Sequence, residues 1–281
     1  MLNQAKSLTL LLIERHTIMT TKAGTTTTFF LTLFFLISGF SLDAQVIDQP
    51  KASLAIGFSQ SSGTNASGMA YDPKRELYYA VIAGNATFPM EVFDANGNNV
   101  YTTDAGSDMR GIWWNKKTKS LEGNTYSDGG IVGMELNDKG YPSMGNKTLF
   151  SGSHQPGSNV CGVFDGKKNI YYFNGERVFI YSRKTGEKTG TLDVKLETSK
   201  MESLNYTSMI YTGMKKMEIG LLDFANNKIY LINKKDGSLT ATVNLPNSIK
   251  SPESFRFGYA NKYAFIYSTD TRSWTGFRIF E

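Results

Sequence analysis

Three carboxylates, an arginine and two asparagines stand at matching places in this sequence, each just ahead of a short apolar run. Asp108, Glu202 and Glu253 are oxygen donors of the kind hard cations take, so calcium is the metal such a set suggests. Clustered carboxylates also shift each other's proton affinities and can divide acid and base roles, as a hydrolase or lyase needs. Arg110 occupies a place where other segments have Ser or Cys. A guanidinium there can grip a carboxylate or phosphate, or simply neutralise Asp108. Asn65, Ser67, Asn159, Ser203 and Ser254 would complete a polar ring. The same residue types fill solvated loops, so they become a site only if the fold gathers them.

Other chemistry is narrowed by scarcity. The 281 residues include one cysteine, Cys161, and two histidines, His16 and His154. That excludes an internal disulfide framework and a multi-cysteine zinc site. Cys161 reads as a small buried apolar residue at a strand start. His154, in the loop Ser151-Gly-Ser-His-Gln-Pro-Gly157, reads as a solvated loop residue, with general base as the functional alternative. The formal charge is +5, but the basic pairs Lys116-Lys117, Lys215-Lys216 and Lys234-Lys235 sit in turn-like segments, so no nucleic-acid surface is expected. No phosphate loop or dinucleotide fingerprint occurs. Sequons at Asn65, Asn85, Asn146 and Asn205 matter only where secreted proteins are glycosylated. Trp113 and Trp114 are adjacent, so a strand turns them to opposite sides and leaves one for a ligand. Trp113 joins the candidate binding residues, with Phe88 and Trp274 as looser ones for a sugar face.

The elements that must position these residues are short strands in repeat. No long segment has helical periodicity. One unit is a strand, a polar turn ending in glycine, and a second strand. It occurs as Met90-Glu-Val-Phe-Asp-Ala-Asn-Gly97 and Gly133-Met-Glu-Leu-Asn-Asp-Lys-Gly140. It recurs as Val178-Phe-Ile-Tyr-Ser-Arg-Lys-Thr-Gly186 and Ile229-Tyr-Leu-Ile-Asn-Lys-Lys-Asp-Gly237. Glycine suits these turns because tight hairpins need positive φ. A second unit precedes each: Ser67-Gly-Met-Ala-Tyr71, Arg110-Gly-Ile-Trp-Trp114, Cys161-Gly-Val-Phe164 and Ser208-Met-Ile-Tyr211. It appears a fifth time as Phe255-Arg-Phe-Gly-Tyr259. The period is roughly 45 residues, the size of a four-stranded propeller blade.

The expected fold is therefore an all-β propeller of five four-stranded blades, with six as the alternative count. The last repeat lacks its fourth strand, and Ser53-Leu-Ala-Ile-Gly-Phe58 from the N-terminus can supply it and close the ring. A two-sheet sandwich is the competing architecture, and it leaves the repeat unexplained. In a propeller the first strand of each blade lines a central channel, so residues just ahead of those strands meet at one mouth.

At these repeats the chain resembles the secreted propellers of the YVTN or NHL type. The sharpest likeness is Asn226-Asn-Lys-Ile-Tyr-Leu-Ile-Asn-Lys-Lys-Asp-Gly-Ser-Leu-Thr-Ala-Thr-Val-Asn-Leu-Pro246. The resemblance implies the propeller fold, and it covers binding scaffolds, lactonases and lyases alike.

The N-terminus reads as an export signal. Phe29 to Phe40 is mostly apolar, too short for a membrane span of about 20 residues, with Lys22 upstream and cleavage expected after Ala44. Leu42 departs from the small-residue rule at that cut, and Met19 offers a second start. Residues 1–44 would then be upstream sequence and signal, and residues 45–281 the propeller, without a membrane span, in the periplasm or outside the cell. The functional expectation is a binding module holding a small molecule, a glycan or an envelope protein at the channel mouth through Asp108, Arg110, Asn159, Glu202, Glu253 and Trp113. The alternative is a metal- or carboxylate-dependent hydrolase or lyase at the same channel, using Asp108, Glu202 and Glu253.

Overall fold

A computed structural model of the chain describes residues 44–59, 65–84 and 88–280. The expected export signal, Phe29 to Phe40, lies outside them. Two strands come first, β1 (Gln45–Asp48) and β2 (Ala52–Gly57). Blade I is β3 (Asn65–Asp72), β4 (Leu77–Ala83), β5 (Pro89–Phe93) and β6 (Asn99–Asp104). Blade II is β7 (Trp113–Asn115), β8 (Ser120–Asn124), β9 (Ile131–Met134) and β10 (Lys147–Phe150). Blade III is β11 (Val163–Phe164), β12 (Asn169–Phe173), β13 (Arg177–Ser182) and β14 (Lys188–Asp193). A one-turn helix, α1 (Thr198–Met201), leads to blade IV. That blade is β15 (Ile210–Tyr211), β16 (Ile219–Asp223), β17 (Lys228–Ile232) and β18 (Leu239–Asn244). Blade V is β19 (Phe257–Ala260), β20 (Tyr263–Ser268) and β21 (Ser273–Arg278), completed by β2.

The protein is thus a five-bladed β-propeller closed by an N-terminal strand. β2 pairs antiparallel with β21, Ile56 opposite Trp274. The hairpin glycines Gly97, Gly140, Gly186 and Gly237 all take positive φ, from 72° to 86°. One strand went unread in the sequence. β1 lies parallel to β18 as a fifth strand of blade IV, Gln45 opposite Ala241. The segment Gln45 to Gly57 therefore ties the outer edges of two successive blades.

The core lies between blades. Side chains alternate across each strand, so every blade packs one face on each neighbour, and five apolar clusters fill the five junctions. Trp113 faces blade III and Trp114 faces blade I, as their adjacency requires. Trp274 is fully buried in the junction of blades V and I, which removes it as a sugar-stacking candidate. Its side chain projects from the face of blade V that packs on blade I, and that junction covers the indole.

One junction carries a buried charge. Glu122 on β8 is 1% exposed and accepts hydrogen bonds from Trp113 Nε1 at 3.0 Å and Asn115 Nδ2 at 2.9 Å. Arg183 of blade III closes a bidentate pair on it through Nε and Nη2. Removing one partner of such a pair leaves an uncompensated charge, at a cost of about 3–5 kcal/mol. Arg183→Met should therefore lower unfolding free energy in urea by about that much. A loss below about 1 kcal/mol would mean that the blade II donors alone satisfy the carboxylate.

Candidate functional site

The five inner strands enter the channel together, and hydrogen bonds stitch each junction there. Ser67 Oγ donates to Met109 O at 2.8 Å between blades I and II. Asn124 ties blade II to blade III, accepting from Gly162 N–H at 2.8 Å and donating to Val160 O at 2.8 Å. Cys161 N–H donates to Thr207 O at 2.7 Å between blades III and IV. Asn205 Nδ2 donates to Phe255 O at 3.0 Å, and Arg256 N–H to Ala66 O at 2.9 Å, completing the ring. Approach is so close at Gly111 that a Cβ there would lie 2.4 Å from Gly162 O.

At this strand-entry mouth the structure joins two of the expected site residues. Arg110 Nη2 donates to Asp108 Oδ2 at 2.9 Å, and Asp108 also accepts Gly84 N–H at 2.9 Å. Arg110 is 6% exposed, with its guanidinium carbon 4.8 Å from the Tyr126 ring centre and 5.2 Å from that of Phe255. Tyr126 belongs to blade II and Phe255 leads into blade V, so Arg110 lies over the channel between non-neighbouring blades. Two aromatic faces and one carboxylate stabilise the buried cation; its Nε has no partner.

Among the described residues no hydrogen bond or ion pair joins the remaining candidates Glu202, Glu253 and Asn159 to this pair. Glu202, at the end of α1, is exposed, as are Glu253 and Asn159. Among the described residues no group of three or more His, Cys, Asp or Glu could hold a metal ion, so the calcium expectation finds no ligand set there. His154 is held by two backbone carbonyls, Gly186 O at 2.8 Å and Ser151 O at 2.9 Å. Cys161 is buried, and desolvation pushes its thiol far above the usual range. Asn205, one of the sequons, is fully buried and saturated with hydrogen bonds, so it cannot carry a glycan in this fold.

The opposite, strand-exit end of the channel opens into a cavity of about 420 Å³. Its wall repeats by blade. Tyr71, Trp114, Phe164, Tyr211 and Tyr259 all border it, and each is the aromatic residue that ends an inner-strand unit. All five are half-buried. Each rests one side on the junction with the preceding blade: Tyr71 lies 4.7 Å from Tyr78, and Tyr211 stacks on Tyr171 at 5.3 Å. The other side is left to the cavity. Trp113 borders the cavity too, but is 5% exposed with its indole N–H committed to Glu122. The sequence signal for this ring was present: every copy of the second repeat unit closes on an aromatic.

Comparison with known proteins supports the fold. No protein-family model matches the sequence, and no curated protein matches it. The chain is similar to the crystal structure of Myxococcus xanthus glutaminyl cyclase, with a TM-score of 0.53 at 8% identity, covering 83% of this chain and 97% of that one. A candidate 6-phosphogluconolactonase from Bacteroides uniformis overlaps at TM-score 0.40 and 16% identity, over 78% of this chain and 72% of that chain. A luciferin-regenerating enzyme overlaps at TM-score 0.40 and 15% identity, over 55% of this chain and 52% of that chain. The likeness to the Myxococcus xanthus protein agrees with the propeller fold and leaves the family of this chain unassigned. Among the described residues no helix is long and apolar enough to cross a membrane.

Proposed function

We propose that this protein holds a ring-bearing small molecule, a sugar or another flat organic ligand, in the strand-exit cavity of its channel. The observation that carries this is the ring of five half-exposed aromatics, one from each blade, around a single cavity. A concave site of 300 to 1,000 Å³ walled by aromatic side chains with a few polar groups is the ordinary form of a small-molecule site. Reading Phe29 to Phe40 as an export signal would put that ligand in the periplasm or outside the cell. Trp114 supplies the largest wall. Trp114→Ala should weaken a ligand by about thirtyfold, read by calorimetry on a hit from a screen of sugars and aromatic compounds. If no ring compound raises the melting temperature, the reading fails.

A second reading, a hydrolase or lyase using Asp108, Glu202 and Glu253, draws support from the Myxococcus xanthus protein being named as an enzyme. Its structural foothold here is the ion pair between half-buried Asp108 and buried Arg110. Product formation by the wild type that Asp108→Asn abolishes, with the fold intact, would favour it over simple binding.

A further inference from the structure

We infer that the ligand of the strand-exit cavity is a ring compound carrying a carboxylate. This rests on the reading of that cavity as a small-molecule site. The argument is a count of donors against acceptors. Trp114, Tyr71, Tyr259 and the exposed Lys116 line the cavity, and none of their side chains makes a hydrogen bond or ion pair among the described residues. Tyr211 OH accepts from Lys234 Nζ at 2.8 Å, so its own proton is free to be donated. The ammonium also polarises that phenol into a stronger donor. Among the described residues no Asp or Glu lines the cavity, whose one ionised lining residue is the exposed Lys116. The side-chain amide there, Asn261, spends its N–H on Tyr78 OH at 2.8 Å and offers an oxygen.

Burial keeps the phenols in their donating form. It raises the Tyr71 hydroxyl, with the nearby Glu76 and Asp72 carboxylates adding to the shift, and pushes that of Tyr259 up to about 12. A wall of aromatic faces edged by unmatched donors and a cation is complementary to a flat ring edged by acceptor oxygens and a negative charge. An apolar or cationic ligand would leave those donors without partners once water is displaced. An aromatic carboxylate and a uronic acid share the required chemistry.

The protein carries its own reporter. Of its three tryptophans, Trp113 and Trp114 border the cavity and Trp274 does not, so a change in emission on titration that Trp114→Phe removes reports Trp114. The probes are benzoate against benzyl alcohol, and glucuronate against glucose, each followed by fluorescence and by calorimetry. One acid should bind at least about fivefold more tightly than its neutral counterpart. Lys116→Met should erase most of that preference while leaving the neutral compound's affinity unchanged. Which pair shows the effect distinguishes an aromatic from a sugar ring. Equal or better binding of the neutral compounds, or an acid preference that survives Lys116→Met, overturns the inference and leaves the cavity a ligand site. Absence of heat from all four probes and from the wider screen overturns both.

Discussion

A chain shortened to begin at Ser59 should show no cooperative unfolding transition, while one beginning at Gln49 should fold and melt only modestly lower. The first variant loses β2, and with it the pairing to β21 from Ala52 to Gly57. It also loses Ile56, fully buried, and Phe58, both of which belong to the cluster between blades V and I. Deleting side chains of that size from a core costs about 2–5 kcal/mol each. The β21 edge is bared as well, which invites pairing with other chains. The sum approaches or exceeds a typical stability of about 5–15 kcal/mol. Of the described elements the second variant loses β1 alone, a four-residue strand whose side chains are mostly exposed and whose partner blade is already complete. A synthetic peptide spanning residues 49–59 added in trans should restore the transition to the shorter chain by strand addition. Circular dichroism during heating reads both. A cooperative transition in the Ser59 variant without peptide would show that the ring holds with a three-stranded blade V. Signal cleavage after Ala44, as the sequence suggests, would leave both tying strands in place.

That closing strand was legible in the sequence because it follows from arithmetic on a repeat. Four units carried a turn glycine, five carried an inner strand, and the last unit lacked a partner that only the N-terminus could supply. Hairpin glycines such as Gly97 and Gly237 have a local cause, so a local reading finds them. β1 had no such cause. Its parallel pairing with β18 depends on where the chain lies after circling the whole ring, and nothing in Gln-Val-Ile-Asp announces it.

The site was legible in a different and narrower sense. Asp108 and Arg110 are two residues apart, so their pairing was foreseeable, and Arg110 as a neutralising partner was among the readings. That it would lie between Tyr126 and Phe255 required knowledge of which loops cross the mouth. Asn124, Asn205 and Thr207 spend their polarity on stitching blades rather than on a ligand. A sequence shows the type of a polar side chain but not whether a neighbouring blade already meets its hydrogen-bonding capacity. The aromatic ring failed to register for the opposite reason. Aromatics are expected in sheet packing, and Tyr71, Trp114, Phe164, Tyr211 and Tyr259 do pack; only position along the channel separates a wall residue from a core residue.

The tyrosines in the packed junctions set a sharp alkaline limit. Stability should be flat from neutral pH to about 8.5, decline by one proton as the unfolded Cys161 thiol ionises, and fall steeply above about 10, with unfolding complete before the phenols of the native state could titrate. Tyr78, Tyr79, Tyr172 and Tyr230 are all buried. Desolvation pushes the Tyr78 hydroxyl up to about 12 and those of Tyr79, Tyr172 and Tyr230 further still. For Tyr230 the hydrogen bond to Asp223 Oδ2 at 2.7 Å adds to the shift, because an ionised phenol would face a carboxylate. A raised native value means that the unfolded chain releases its proton first, near pH 10. The stability tied to these phenols is therefore whole below that point and is lost as pH climbs towards the native values. Each such phenol removes about 1.4 kcal/mol per pH unit, so four together would exhaust a typical domain within about two units. The slope can be tested residue by residue. Tyr172 OH is buried without a hydrogen-bond partner. Tyr172→Phe removes an unsatisfied hydroxyl, so it should raise stability at pH 7 by about 1 kcal/mol and make the alkaline decline shallower by one proton. Urea melts between pH 7 and 11 measure both quantities. A Tyr172→Phe variant that is less stable at pH 7 would show that the hydroxyl has a partner after all, an ordered water being the simplest.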